Sequence, residues 1–188
     1  IADGGRRRDV AVFYRTNAQS RSIEESLARH QIPYAMIGGV KFFARAEVKD
    51  VLAYLRLCMN PADSVSAKRI VNVPARGIGN VTVNRIAALE ENVEGGFLGA
   101  CRAALQGDLL RAGAREKVAS FVRLIDSFRG RSAEVAFPQL AAAIVEESGY
   151  GPMLRDNGSF EARERLQNLQ ELLSGMEERA AAGESLQD

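Results

Sequence analysis

The 188-residue sequence has only two cysteines and a single histidine, and each scarcity removes a class of chemistry. A structural zinc site takes four ligands, mostly Cys and His, whereas Cys58, Cys101 and His30 stand far apart with no second His or paired Cys beside any of them. Ser-His-Asp or Cys-His catalysis needs a histidine base held by a third group, and His30, at the end of a short helical pattern, reads as a surface residue. Both cysteines lie among apolar residues at helical spacing, where a free thiol behaves as a small hydrophobe, so neither a disulfide nor a metal site is expected. No run approaches the roughly 18 uninterrupted apolar residues of a membrane helix. The opening Ile1-Ala2-Asp3-Gly4-Gly5-Arg6-Arg7-Arg8 also lacks the apolar stretch of a signal peptide. The expectation is a cytoplasmic protein without a membrane partner.

What is present is a folding composition. Hydrophobic residues make up 46% and charged residues 26%, far from the low-hydrophobicity, high-charge signature of disorder, and the length suits one ordinary domain or two small ones. The formal net charge is only +1, yet residues 1–89 hold 14 Lys and Arg against 7 Asp and Glu, while residues 90–188 hold 11 against 17. A basic half favours phosphate-bearing ligands through Coulomb attraction and counterion release. A chance imbalance among solvated surface charges accounts for the same composition equally well.

Asp9-Val10-Ala11-Val12-Phe13-Tyr14 is an apolar run rich in β-formers and predicts a strand buried on both faces, as in a parallel sheet. Ile23 and Leu27, one turn apart between Ser20 and His30, predict a short amphipathic helix stopped by Ile32-Pro33. Tyr34-Ala35-Met36-Ile37 predicts a second strand, so the opening reads β-α-β. Val48, Val51, Leu52, Leu55 and Met59 trace a helical stripe closed by Asn60-Pro61. Beyond Ser64 the pattern is helical, apart from a few residues around Val71-Asn72-Val73. Asn80 is placed to cap a helix reaching about Glu91, and Asn92-Val93-Glu94-Gly95-Gly96 marks a boundary. Val118, Phe121, Val122, Ile125 and Phe128 form one stripe, and Phe137, Leu140, Ala141, Ile144 and Val145 form another that ends at Gly149. Ser159 opens a long helix with Ala162, Leu166, Leu169, Leu173 and Met176 at near-heptad spacing, and the tail from Arg179 to Asp188 is expected to fray.

The chain has no G-x-x-x-x-G-K-[ST] phosphate loop; Gly38-Gly39-Val40-Lys41 has neither its glycine spacing nor its Ser or Thr. Two local constellations carry chemistry instead. Tyr14-Arg15 closes the first expected strand, and ligands of open α/β sheets bind beyond the carboxyl ends of strands. There a ring can stack on a base and a guanidinium can neutralise a γ-phosphate, although a Tyr-Arg pair at such a place is also ordinary surface. The second is Pro74-Ala75-Arg76-Gly77-Ile78-Gly79-Asn80-Val81-Thr82, just before an expected helix. Its glycines let the backbone approach a phosphate, the helix start offers N–H groups, Arg76 adds charge, and Ile78 anchors the turn. Such a loop grips duplex backbone without reading bases, and a plain connection between helices fits the same residues.

Together these stretches resemble the UvrD/PcrA/Rep family of superfamily 1 DNA helicases over nearly the whole chain, most strongly over residues 9–86. The stretch from Asp9 to Arg21 looks like the family's motif IV. Residues 38–50 followed by Leu52-Ala53-Tyr54-Leu55-Arg56 resemble its next block, Arg76-Gly77-Ile78-Gly79 resembles its Gly-Ile-Gly loop, and the stretch from Glu161 to Leu172 is similar to a helical part of its 2B domain. The resemblance implies that Tyr14 stacks on adenine and that Arg15 approaches the γ-phosphate, which makes Arg15 the catalytic candidate. It implies that Arg76, Gly77, Ile78, Gly79 and Thr82 contact duplex DNA, with Lys41, Phe42 and Arg45 along the single-strand path. ATP with Mg²⁺ is the implied cofactor, single-stranded and duplex DNA are the implied partners, and 3′ to 5′ translocation in repair or replication is the implied activity. The implied fold is α/β, an incomplete RecA-like 2A sheet over residues 1–93, followed by a mainly α-helical 2B-like portion over 94–188. The family's phosphate loop, Walker B acidic pair and late arginine motif have no counterpart, so a piece of a longer helicase, inactive alone, is expected, in keeping with a start at Ile1 rather than Met. Two other readings stand beside it: the helicase part of a helicase-nuclease, and a non-enzymatic helical module that docks a repair protein or polymerase through the acidic half.

Overall fold

The computed structural model describes residues 6–184; the first five residues of the basic start and the last four of the tail lie outside the described residues. Among the described residues there is no strand, which overturns the α/β expectation. The reason lies in partners, since a strand exists only through the ladder of a neighbour. After a 3₁₀ turn at Arg7–Asp9, Val10 is extended with φ −105° and ψ 129°, but Val10, Val12 and Phe13 are 58%, 57% and 92% exposed. At the second expected strand Ile37 is 93% exposed. The two segments meet where Tyr14 Oη donates to Met36 Sδ at 2.9 Å, without forming a sheet. Val71-Asn72-Val73 is a turn.

The helices follow the apolar spacing closely. The first, α1 (Ser20–Arg29), ends at His30, which is exposed with Nδ1 2.8 Å from the Ser26 carbonyl. The second, α2 (Ala46–Met59), is buried over nearly its whole circumference, as a helix in the middle of a core must be. Val48, Val51, Tyr54, Leu55 and Leu57 are each at most 2% exposed. After α3 (Ser64–Ile70) and α4 (Asn80–Ala87) come α5 (Gly96–Gln106), α6 (Ala112–Arg131) and α7 (Phe137–Glu147). A left-handed Gly149 with φ 86° leads into α8 (Tyr150–Asn157), and Ser159 caps α9 (Phe160–Ala181) by accepting the Ala162 N–H at 3.1 Å. Helices α3, α6, α7 and α9 all pack on α2, and one hydrophobic core runs from Phe42 to Met176, continuous through the glycine-rich turn near residue 95. Both cysteines are free and buried, and burial pushes the thiol of Cys58 up to about 11 and that of Cys101 up to about 12.

Polar side chains lock this core from inside. Arg21 of α1, 4% exposed, donates to Glu171 at 2.8 Å and Glu178 at 3.0 Å on α9, and to Glu25 at 3.0 Å. Arg45 donates to the Asn17 carbonyl at 2.8 Å, Ser20 Oγ at 2.9 Å and Asn168 Oδ1 at 2.7 Å, while Asn168 Nδ2 donates to Glu47 at 2.7 Å. On α2, Asp50 accepts from Tyr150 Oη at 2.8 Å and Arg69 Nε at 2.8 Å.

Burial holds the Asp50 carboxyl above its usual range despite the opposing hydrogen bond from Tyr150 and the charge of Arg69. A raised folded-state value means that the contribution of Asp50 to stability is fully present below the unfolded pKa and is lost as pH rises through the folded value. The Tyr150 hydroxyl offsets part of that loss by donating to the charged form. Tyr150→Phe is therefore expected to cost about 1.5–3 kcal/mol at neutral pH, with the cost shrinking as the pH falls and Asp50 protonates; urea unfolding of both proteins across pH 4–8 checks it.

Candidate nucleic-acid interface

The turn between α3 and α4 takes its shape from the side chains beneath it. Asn72 Oδ1 accepts the N–H of Arg76 at 2.8 Å and that of Ile78 at 3.1 Å. Tyr54, rising from α2, donates to the Val73 carbonyl at 2.6 Å. The Arg76 guanidinium donates to the carbonyls of Ile70 at 3.0 Å, Val73 at 2.9 Å, Pro74 at 3.2 Å and Ser148 at 3.2 Å, and to Tyr54 Oη at 2.5 Å. Its carbon centre also stands 5.8 Å from the Phe121 ring centroid. The sequence reading gave Arg76 to DNA as added charge; the structure spends that guanidinium on holding the loop. Ile78 is 2% exposed and anchors the turn in the core. Asn72 was missed, although an Asn four residues before Arg76 and six before Ile78 is a side-chain acceptor suited to such a turn.

The two glycines answer different needs. Gly77 has φ 70°, and a Cβ there would stand 2.6 Å from Lys117 Nζ. Gly79 is extended, with φ −77° and ψ 165°, and forms the N-cap of α4 in the place expected of Asn80. A Cβ on Gly79 would meet nothing within 4 Å, so this side of the loop is open space. The first N–H groups of a helix have no intrahelical acceptor, and in α4 those of Asn80 and of Val81, 68% exposed, follow Gly79 directly, whereas the N–H of half-buried Thr82 donates to the Gly79 carbonyl at 2.9 Å and leaves only its hydroxyl. The arrangement presents backbone donors and a hydroxyl to an anion.

The expected single-strand residues are divided by burial. Lys41 is exposed, with Nζ 4.8 Å above the Tyr34 ring. Phe42 is fully buried against Phe43, and its N–H donates to Glu24 at 3.0 Å. Arg45 is 8% exposed and fully engaged as described. Direct contact with a DNA strand does not fit Phe42 or Arg45, because packing and internal acceptors already occupy them. Tyr14 is half-buried and Arg15 exposed, the latter's N–H donating to Gln19 Oε1 at 2.9 Å. The 3₁₀ turn that follows them, Asn17–Gln19, is tied to α9 through Asn17 Nδ2 and Glu164 at 3.0 Å.

Gly77→Ala is expected to lower stability by about 1–2 kcal/mol, the cost of a left-handed backbone for an L-residue, whereas Gly79→Ala leaves it unchanged; denaturant midpoints of the two variants separate them.

Residues 2–187 match the UvrD-like helicase C-terminal domain. The ATP-dependent DNA helicase UvrD1 of Mycobacterium tuberculosis is 45% identical over 168 residues, 88% of this chain and 22% of the relative. The ATP-dependent DNA helicase PcrA of Bacillus subtilis is 40% identical over 168 residues, with the same coverage. PcrA of Staphylococcus aureus is 35% identical over 181 residues, 92% of the chain and 23% of the relative. The chain thus spans less than a quarter of the length of these relatives, and it belongs to the UvrD-like helicase C-terminal domain family.

Proposed function

We propose that this chain supplies the duplex-gripping loop and the nucleotide-sensing segment of an ATP-dependent DNA helicase whose phosphate loop lies elsewhere in the protein. The observation that carries the reading is the Gly77-Ile78-Gly79 loop, fixed from beneath by Arg76, Asn72 and Tyr54 while Gly79 and the start of α4 stay open. A preformed row of backbone donors binds DNA phosphates with little ordering cost and without reading bases. Gly77, Gly79 and Thr82 are the contact residues in this proposal, and Lys41 serves a strand passing over its own surface. Arg76, Ile78, Phe42 and Arg45 act as positioning residues from below.

The half-buried Tyr14 ring and the exposed Arg15 guanidinium fit the edge of a nucleotide, one as a stacking face and the other as a phosphate partner. Bound ATP supplies the free energy of hydrolysis. Among the described residues no three His, Cys, Asp or Glu stand together to hold a metal ion, and we assign Mg²⁺ and most of the triphosphate contacts to the remainder of the protein. Within this chain Tyr14 stacks on the base and Arg15 neutralises charge near the γ-phosphate. Any shift of that segment reaches α9 through Asn17, Arg21 and Arg45, which hold Glu164, Glu171, Glu178 and Asn168.

We assign the protein 3′ to 5′ translocation in DNA repair or replication, in the cytoplasm, on the strength of the motif resemblance; the names of its relatives support ATP-dependent DNA helicase activity. We propose a division near residue 93 in motif content only, between a part with the motif IV stretch and the Gly-Ile-Gly loop and a helical 2B-like part, since one hydrophobic core runs across it. Docking of a repair protein or polymerase through the acidic half is less well supported, because Glu164, Glu171 and Glu178 are already held by Asn17 and Arg21.

In the full-length protein, Gly79→Val is expected to weaken duplex binding at least tenfold with unchanged thermal stability; equal affinity for both proteins would sink the loop assignment. Arg15→Ala should cut ATP hydrolysis far more than nucleotide affinity, and the 188-residue chain alone should show no turnover above background with DNA present.

A further inference from the structure

The Arg76 guanidinium keeps its charge beneath the loop but has turned its donors to internal carbonyls and Tyr54, so a cation in direct contact with a phosphate there has to come from elsewhere. The structure offers a source beside the loop. A cleft of about 240 Å³ lies between α4 and the start of α6, lined by Val81, Thr82, Arg85, Leu109, Leu110, Arg111 and Ala114. Thr82 and Arg85 lie three residues apart, on neighbouring turns of one face of α4. Arg111 is the N-cap residue of α6. Arg85 and Arg111 are exposed, and among the described residues neither guanidinium has an ion-pair or hydrogen-bond partner. The carboxylates nearest Arg111 in sequence are directed elsewhere, Asp108 toward Arg115 at 3.9 Å and Glu116 to Arg123 at 2.8 Å, and Glu90, the one nearest Arg85, pairs with Lys68 at 2.5 Å. Lys117, two turns along α6 from Arg111, reaches the Gly77 carbonyl at 3.3 Å, which sets a third cation against the loop itself.

We propose that this cleft is a second anchoring site for duplex DNA, taking one sugar–phosphate unit adjacent to the one held by the Gly-Ile-Gly loop. The inference rests on the duplex-binding reading of that loop and adds residues to it. Two guanidiniums and the Thr82 hydroxyl supply donors for a phosphodiester, while Val81, Leu109, Leu110 and Ala114 offer an apolar wall of the kind a deoxyribose covers. The volume exceeds what a bare phosphate fills and suits a phosphate with its sugar. Because no base edge is addressed, the contact positions the duplex and is insensitive to sequence. A grip at two phosphates, one on the loop and one in the cleft, fixes the direction of the duplex axis, which a single point cannot.

The test uses the full-length protein with Arg85→Ala/Arg111→Ala, the charge-retaining Arg85→Lys/Arg111→Lys, and Gly79→Val. Duplex affinity is measured by fluorescence anisotropy from 50 to 300 mM salt on two unrelated sequences, and thermal unfolding confirms that each variant is folded. The expected result for the double alanine variant is a five- to twentyfold loss at low salt on both sequences, an unchanged melting temperature, and a log-log salt slope smaller by about 0.9, the value for one phosphate contact. The lysine variant recovers the slope. Wild-type affinity and slope in the alanine variant, with Gly79→Val still defective, overturn the cleft and leave the loop standing. A sequence-dependent loss also overturns it, because base readout is then involved. A normal Gly79→Val combined with a defective alanine variant removes the loop reading and with it the two-point grip, and leaves the cleft as a lone phosphate site.

Discussion

Helix α2 is enclosed by its neighbours, and the rest of the molecule depends on that enclosure. With Val48, Val51, Tyr54, Leu55 and Leu57 out of water, α3, α6, α7 and α9 have a common surface to cover. Each fully buried side chain of this kind contributes about 1.5–3 kcal/mol relative to exposure. The same helix also sends out the two polar groups that organise the surroundings. Tyr54 reaches up to the loop before α4, and Asp50 reaches across to α8. Core and candidate interface are thus set by one element, and the loop's geometry is a by-product of how that helix is packed.

Guanidiniums do the internal cross-linking. Arg21, Arg45 and Arg76 each reach several acceptors at once, which suits a planar fork of five donors better than a lysine ammonium. The uneven charge of the two halves takes on a structural meaning here. Part of the positive excess of residues 1–89 is spent on acceptors in the second half, as when Arg21 meets Glu171 and Glu178. Isolated pairs at the surface contribute little, but a buried guanidinium with three carboxylate partners leaves costly unsatisfied groups if any part is removed. The first segment of the chain is bound to the last long helix in this way.

Most helices were legible in the sequence, because apolar spacing is a local property. The stripe of α6, the Ser159 cap of α9 and the stop at Gly149 all follow from residues within a turn or two of one another. Helices α5 and α8 were harder. In α5, alanines and glycines blur the contrast between faces, and α8 is short and contains Pro152. The strands failed for a different reason: Val10, Val12 and Phe13 have the composition of a buried strand, but pairing needs another segment, and no local pattern reports whether one is present. The candidate site was legible in its glycines and less so in its charges. Gly77 takes a left-handed backbone that favours glycine, and Gly79 leaves open space before α4. What becomes of Arg76 depends on a carbonyl at Ser148, 72 positions away, and what becomes of Arg45 depends on Asn168. The burial of Phe42 escapes the local pattern for the same reason, since it depends on α1 and Glu24.

The buried cysteines have a practical side. Cys58 and Cys101 are the only thiols in the chain, and apolar packing keeps both protonated and out of contact with water at neutral pH. Thiolate is the reactive form, so maleimide dyes would pass over both native positions. A single cysteine introduced at an exposed site, by Val81→Cys on α4 or Phe13→Cys beside Tyr14, would then be the only point of attachment. The fold has in effect left its outer surface free for spectroscopic rulers between the loop and the segment that holds Tyr14 and Arg15, without any need to strip the native sulfurs from the core.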